Sequence, residues 1–138
     1  MKQASVSING ALHGRIGPGM LILLAIHKDD TTAQADFLAD KCLKLRIFGD
    51  AEGKMNRSLI DSGGGALVVS QFTLYGDCGK GRRPSFTDAA GPEKGNKLYE
   101  YFVARMKTLC PVVATGVFGA MMDVELVNDG PVTFVLDA

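Results

Sequence analysis

Ser70, Gln71 and Thr73 put three hydrogen-bonding side chains within four residues, with Phe72 between them. They follow the apolar, β-branched run Ala66-Leu67-Val68-Val69, so they stand where a buried strand ends. Polar groups leaving such a strand can meet a ligand or hold a water. If the strand continues, Ser70 and Phe72 face one way and Gln71 and Thr73 the other. Serine and threonine are also frequent where strands turn, and on residue types alone a purely structural use is the preferred reading. Lys80-Gly81-Arg82-Arg83-Pro84-Ser85-Phe86 forms the only dense basic cluster, in which arginine offers a fork to phosphate oxygens. A bare charge run more often marks a solvated loop, and Pro84 and Phe86 suggest that this one is anchored. The third candidate is Asn128-Asp129-Gly130-Pro131-Val132-Thr133, which reads as a tight turn. Residue types alone leave its Gly-Pro bond trans, since only about 5–6% of such bonds are cis in folded proteins.

Other chemistry is scarce. His13 and His27 lie near the N-terminus, far in sequence from any nucleophile, and are read as structural. No HExxH, GxSxG or Gly-rich phosphate loop occurs, nor carboxylates paired at an informative spacing. Cys42, Cys78 and Cys110 are odd in number and widely spaced, which argues against a disulfide framework or a CxxC metal site. Neither a metal nor a cofactor is expected.

These residues need positioning, and the chain has the means. Its 138 residues make one domain, able to bury a core without staples. Ala4–Ile8 and Ala11–Ile16 flank Asn9-Gly10, the signature of a β-hairpin. Met20–Ile26 is continuously apolar and predicts a strand buried on both faces. Asp29-Asp30-Thr31-Thr32 supplies capping for a helix over 33–44, with Phe37, Leu38, Cys42 and Leu45 near its core-facing side. Leu45–Phe48 is a possible short strand, and 49–65 is rich in turns. Pro92 opens a second helix running to about Leu109, with Leu98, Phe102, Arg105 and Met106 at helical spacing. Val112–Ala114, Met121–Val127 and Val132–Leu136 read as further strands. No repeat or linker divides the chain. The expectation is a single α/β domain with two main helices.

Formal net charge is zero, which opposes a broad basic face for nucleic acid but allows a grip on an RNA end, where few phosphates need contacting. Free thiols suit a reducing compartment. The opening residues lack a hydrophobic signal region, and the longest apolar run, Met20–Ile26, is too short to span a membrane. A cytoplasmic protein with no membrane association is expected.

Together these stretches resemble a known family. SQFTLYGD, KGRRPSF and GVFGAMMDVELVNDGPVTF, along with LRIFGDAEGKMNRSL, LVVSQFTL and AGPEKGNKLYEYF, stand in the order found in D-aminoacyl-tRNA deacylases, formerly called D-tyrosyl-tRNA deacylases. Each motif is short, but the set runs nearly end to end. The resemblance implies a β-sheet or barrel-like core and a homodimer with each active site at the subunit interface. It implies hydrolysis of the aminoacyl ester at the 3′ end of tRNA mischarged with a D-amino acid, and removal of glycine as well. Ser70, Gln71, Phe72 and Thr73 match its catalytic stretch. Gly130 and Pro131 match a Gly-cis-Pro pair that enters the partner's site and rejects L-residues. Phe118 and Met122 match the pocket for the terminal adenosine.

Two mechanisms fit that resemblance. Thr73 could act as nucleophile, although no histidine or lysine is evident beside it as base. Alternatively the tRNA's terminal 2′-hydroxyl assists water while N–H groups near Phe72 and Thr73 hold the oxyanion, and this second route is preferred. Family members also begin with an added stretch carrying an arginine near the site; the chain's start at Met1-Lys2-Gln3-Ala4-Ser5 implies that much of that strand is missing. The alternatives are a fold relative that binds single-stranded nucleic acid without deacylase activity, or one that edits a mischarged L-amino acid.

Overall fold

A computed structural model describes residues 1–138. The N-terminal hairpin forms as expected: β1 (Gln3–Ile8) and β2 (Ala11–Ile16) are antiparallel, and Ile8 faces Ala11 across the turn. Asn9 and Gly10 have φ of 51° and 77°, the two positive values that a tight hairpin with right-handed strand twist requires. The other edge of β1 pairs with β8 (Asp123–Val127), giving the antiparallel order β2-β1-β8.

A second sheet is parallel. Its order is β3-β6-β7, from Gly19–Leu24, Gly65–Ser70 and Val113–Thr115. Gly19 lies at the start of β3 with φ of 155°, and a Cβ there would sit 1.9 Å from the Gly65 carbonyl oxygen, so no larger residue fits. Between β3 and β6 run α1 (Thr32–Lys44), the small ladder of β4 (Phe48–Gly49) with β5 (Met55–Arg57), and the single turn of α2 (Leu59–Ser62). The long helix α3 (Pro92–Lys107) links β6 to β7. Thr31 and Gln34 form a capping box at α1, and Pro92 occupies the first turn of α3, where its missing N–H costs nothing.

The central strand β6 organises the core. Its successive side chains point to opposite faces. Ala66 and Val68 join Leu24, Ala39, Leu43 and Phe102 beneath the helices, whereas Leu67 and Val69 join Ala4, Val6 and Ile16 of the antiparallel sheet. The result is three layers: helices, parallel sheet, antiparallel sheet. Asp36 of α1 ties the helices together, accepting from Arg105 Nε at 2.9 Å and from the Tyr101 hydroxyl at 2.8 Å.

Several expectations are corrected. The sheets are separate and no closed barrel forms, although the α/β class and the two long helices stand. The strand buried on both faces is β6; β3 lies at the edge of its sheet, and Leu23 is exposed there. Phe37 is exposed beneath the Lys41 ammonium, because α1 packs through the smaller Ala35, Ala39 and Cys42. Residues 132–136 form no strand: their β-favouring types find no ladder partner within the chain. Instead Leu136 packs against the helix-side core. No helix is long and apolar enough to cross a membrane.

Candidate active site

All strands of the parallel sheet end at one edge, where open α/β sheets commonly bind ligands. Three segments leave it: Ala25–Asp30 after β3, Gln71–Tyr75 after β6, and Gly116–Met122 after β7. Sequence distances of over forty residues close here into one neighbourhood.

The stretch after β6 departs from simple alternation. Its last ladder bond runs from Gln71 N–H to the Leu24 carbonyl at 2.8 Å. Leu74 N–H then donates to the Gln71 carbonyl at 3.2 Å, and Phe72–Tyr75 winds into a single 3-10 turn. The N–H groups of Phe72 and Thr73, first in that turn, have no acceptor within it. The Gln71 side-chain amide donates to the Thr73 hydroxyl oxygen. Phe72 is exposed and meets the Phe86 ring edge-on, with centroids 5.2 Å apart.

The segment after β7 is held through one carbonyl. Val68 O accepts from Gly116 N–H at 3.2 Å and from the Tyr99 hydroxyl at 2.7 Å. Burial pushes the Tyr99 phenol pKa up, in keeping with a hydroxyl that stays a donor. The Phe118 ring lies against Tyr99, centroids 6.1 Å apart, and against the bare Gly95, where a Cβ would meet Phe118 Cζ at 3.2 Å. The Met122 sulfur lies over Gly116, only 2.5 Å from where a Cβ would stand. Phe118 and Met122 thus follow the same strand end but on opposite faces of the sheet, Phe118 packing with the helix-side core and Met122 with the hairpin-side core.

Gly130 and Pro131 are not brought there. Both are exposed, and no hydrogen bond links them to residues 70–73. Their peptide bond is cis, contrary to the expectation from residue types alone, and Gly130 has φ of 120°. Asn128 Nδ2 donates to Thr133 Oγ1 at 3.1 Å across the turn.

Two aromatic contributions have no signature in the sequence. His27 packs edge-on against Tyr75 with centroids 5.4 Å apart, and its Nδ1 accepts from Asp29 N–H at 3.1 Å. Burial, then the carboxylates of Asp30, Asp137 and Asp88, raise the Tyr75 pKa. Nothing in the spacing of His27 and Tyr75 signals their meeting, which depends on the β3–β6 register. Tyr99 is marked by its spacing only as a helix residue, and the fold alone supplies its hydroxyl's target, the Val68 carbonyl.

Comparison with known proteins identifies the fold's lineage. The family model described as D-Tyr-tRNA(Tyr) deacylase matches residues 1–137. The chain belongs to that family. A D-aminoacyl-tRNA deacylase of Paracidovorax citrulli is 58% identical over 136 residues, covering 99% of this chain and 88% of its relative. One from Thermosipho melanesiensis is 54% identical over 139 residues, covering 100% and 93%. Among solved structures, one titled c-Myc DNA Unwinding Element Binding Protein has a TM-score of 0.94 at 38% identity, covering 99% of this chain and 93% of that one. A probable eukaryotic D-amino acid tRNA deacylase shares the fold at a TM-score of 0.78 and 20% identity, covering 91% and 88%.

Proposed function

We propose that the protein hydrolyses the ester of D-aminoacyl-tRNA, releasing the D-amino acid and free tRNA, and that it also clears glycyl-tRNA. Membership of the deacylase family across residues 1–137 carries this reading. The position of Ser70–Thr73 at the ligand-binding edge of the parallel sheet accords with it. A cytoplasmic setting, where tRNA is charged, belongs to the same proposal.

Thr73 acts as a positioning residue. Its oxygen already accepts the Gln71 amide, and no basic side chain hydrogen-bonds it. His27 is engaged with Asp29 N–H and Tyr75. A hydroxyl without a base is a poor nucleophile. Water therefore attacks with help from the terminal 2′-hydroxyl of the tRNA, while the Phe72 and Thr73 N–H groups stabilise the developing oxyanion. Donors of this kind contribute about 10²–10³ in rate. Ser70 and Gln71 brace the turn, and Phe118 and Met122 line the pocket for the terminal adenosine.

Chirality is read in a homodimer. Gly130 and Pro131 of each subunit enter the other's site and exclude an L side chain by collision, leaving side-chain identity unread. Exposed Met121, Leu126, Val127, Phe134 and Val135, on β8 and the segments around it, supply apolar surface for such a pairing.

The test compares D-Tyr-tRNA, L-Tyr-tRNA and Gly-tRNA with the wild type and Thr73→Ala. D-Tyr-tRNA and Gly-tRNA are hydrolysed and L-Tyr-tRNA is spared. Thr73→Ala loses about 10- to 100-fold, the scale of a misplaced reactant. A loss of about 10⁴-fold or more, as on removing a nucleophile, would overturn the positioning role. The solved structure titled as a DNA-unwinding-element binder favours a second reading, a single-stranded nucleic-acid module. Salt-dependent DNA binding with no ester hydrolysis would select it.

A further inference from the structure

The loop between Asp77 and Ser85 is a charged arm mounted on the candidate site. Its base is closed by Asp77 N–H to the Ser85 carbonyl at 2.7 Å and Ser85 N–H to the Asp77 carbonyl at 2.9 Å. Phe86 follows at once, packing on Phe72 and lying so close to Gly76 that a Cβ there would meet its ring at 3.1 Å. The base of the arm is therefore packed against the Phe72–Tyr75 turn. Its outer part carries Lys80, Arg82 and Arg83, all exposed. None of them takes part in any of the five ion pairs of the fold. The nearest acids in sequence are occupied: Asp77 Oδ1 accepts from Gly79 N–H at 2.8 Å, and Asp88 pairs with Lys28 at 3.3 Å. In a chain of zero net charge, this concentrates unpaired positive charge beside one strand end.

We propose that Lys80, Arg82 and Arg83 hold phosphates of the single-stranded RNA 3′ end, just upstream of the ester. The proposal rests on the deacylase reading and extends it from the reacting group to the strand that presents it. Four residues of chain reach at most about 14 Å, so the tip stays within a few nucleotides of the Phe72 turn. Serial phosphates leading away from an ester match a short row of cations better than a broad basic face would. The arginine forks also suit phosphate oxygens.

Removing three phosphate contacts should lower the salt slope of binding by about 2, at roughly 0.7 per contact for a single strand. Raising salt from about 50 to about 200 mM should then weaken the wild type about 20-fold more than the variant Lys80→Ala/Arg82→Ala/Arg83→Ala, measured as KM for D-Tyr-tRNA. Esters of adenosine alone, which lack those phosphates, serve as the second substrate. The wild type's preference for D-Tyr-tRNA over D-tyrosyl-adenosine should shrink in the triple variant, through KM rather than kcat. Arg82→Lys/Arg83→Lys, which keeps the charge, should retain most of the salt slope and also control for folding. An unchanged preference and salt slope in the triple variant would overturn the arm's role. Failure of the wild type to hydrolyse either ester would instead sink the deacylase reading itself.

Discussion

Gly116→Ala probes the site through a single methyl group. The new Cβ would stand 2.5 Å from the Met122 sulfur, 3.5 Å from its terminal methyl and 3.8 Å from Val69 Cγ1. Only the sulfur is inside contact distance, since nonbonded heavy atoms settle near about 3.5–4.0 Å. It must therefore withdraw by at least about 1 Å. The backbone at Gly116 is outside the positive-φ region, so alanine itself is unstrained. A thioether at the end of a flexible side chain gives way easily, and the stability cost should stay below about 1.5 kcal/mol. If Met122 lines the adenosine pocket, a shift of this size is expensive in function: about 10- to 100-fold in kcat/KM, or about 1.4–2.8 kcal/mol. Urea unfolding and steady-state deacylation of D-Tyr-tRNA measure the two effects separately. A double-mutant cycle isolates the cause, because in a Met122→Ala background the added methyl meets no sulfur and should cost little more. Full loss of activity on adding Gly116→Ala to Met122→Ala would refute the reasoning, as would undiminished kcat/KM in the single variant.

Other outcomes follow from the same contacts. Tyr99→Phe removes one of two donors on the Val68 carbonyl and leaves Gly116 N–H in place; urea unfolding should show a loss of about 1 kcal/mol, without the larger penalty of an orphaned acceptor. Gly130→Ala forces a side chain into φ of 120° and puts Cβ 2.9 Å from Val132 Cγ2. It should cost about 1–3 kcal/mol and raise hydrolysis of L-Tyr-tRNA relative to D-Tyr-tRNA, and an unaltered ratio would count against the chirality role of this turn. Burial lifts the Cys42 thiol from 9.0 to about 11. The folded state then holds its proton where the unfolded chain has lost it. Its contribution is complete below pH 9 and should fall by about 1.4 kcal/mol per pH unit between about 9 and 11. Stability against pH for the wild type and Cys42→Ala should separate over that window.

Local chemistry in the sequence reached a long way. Asn9-Gly10 identified the hairpin because only a tight turn needs two positive φ values in a row, and Pro92 marked where α3 begins. The run Ala66–Val69 identified a buried strand, although only the topology reveals that it lies between two cores. Longer-range facts were harder to read. Met20–Ile26 looks like a central strand by hydropathy, yet the sheet order puts it at an edge. Val132–Leu136 has strand-forming residues and no ladder within the chain, which no local pattern discloses. At the candidate site, Ser70–Thr73 was recognisable by type and position, but its winding into a 3-10 turn depends on the Leu24 carbonyl ending the ladder. The encounter of His27 with Tyr75 is a product of register, and register is not written in either residue.

The central position of β6 has a consequence for how the molecule comes apart. Neighbouring residues of one strand belong to different cores, Val68 to the helix side and Leu67 to the hairpin side. Neither core can dissolve without uncovering one face of that strand, so the layers are bound into one cooperative unit rather than two that open separately. Amide protons along β6 should therefore exchange only through global opening, while those at the exposed tip of the loop, Lys80–Arg83, exchange through local fluctuation. The strand that opens last ends where the ester would be held, and an exposed loop begins a few residues beyond it.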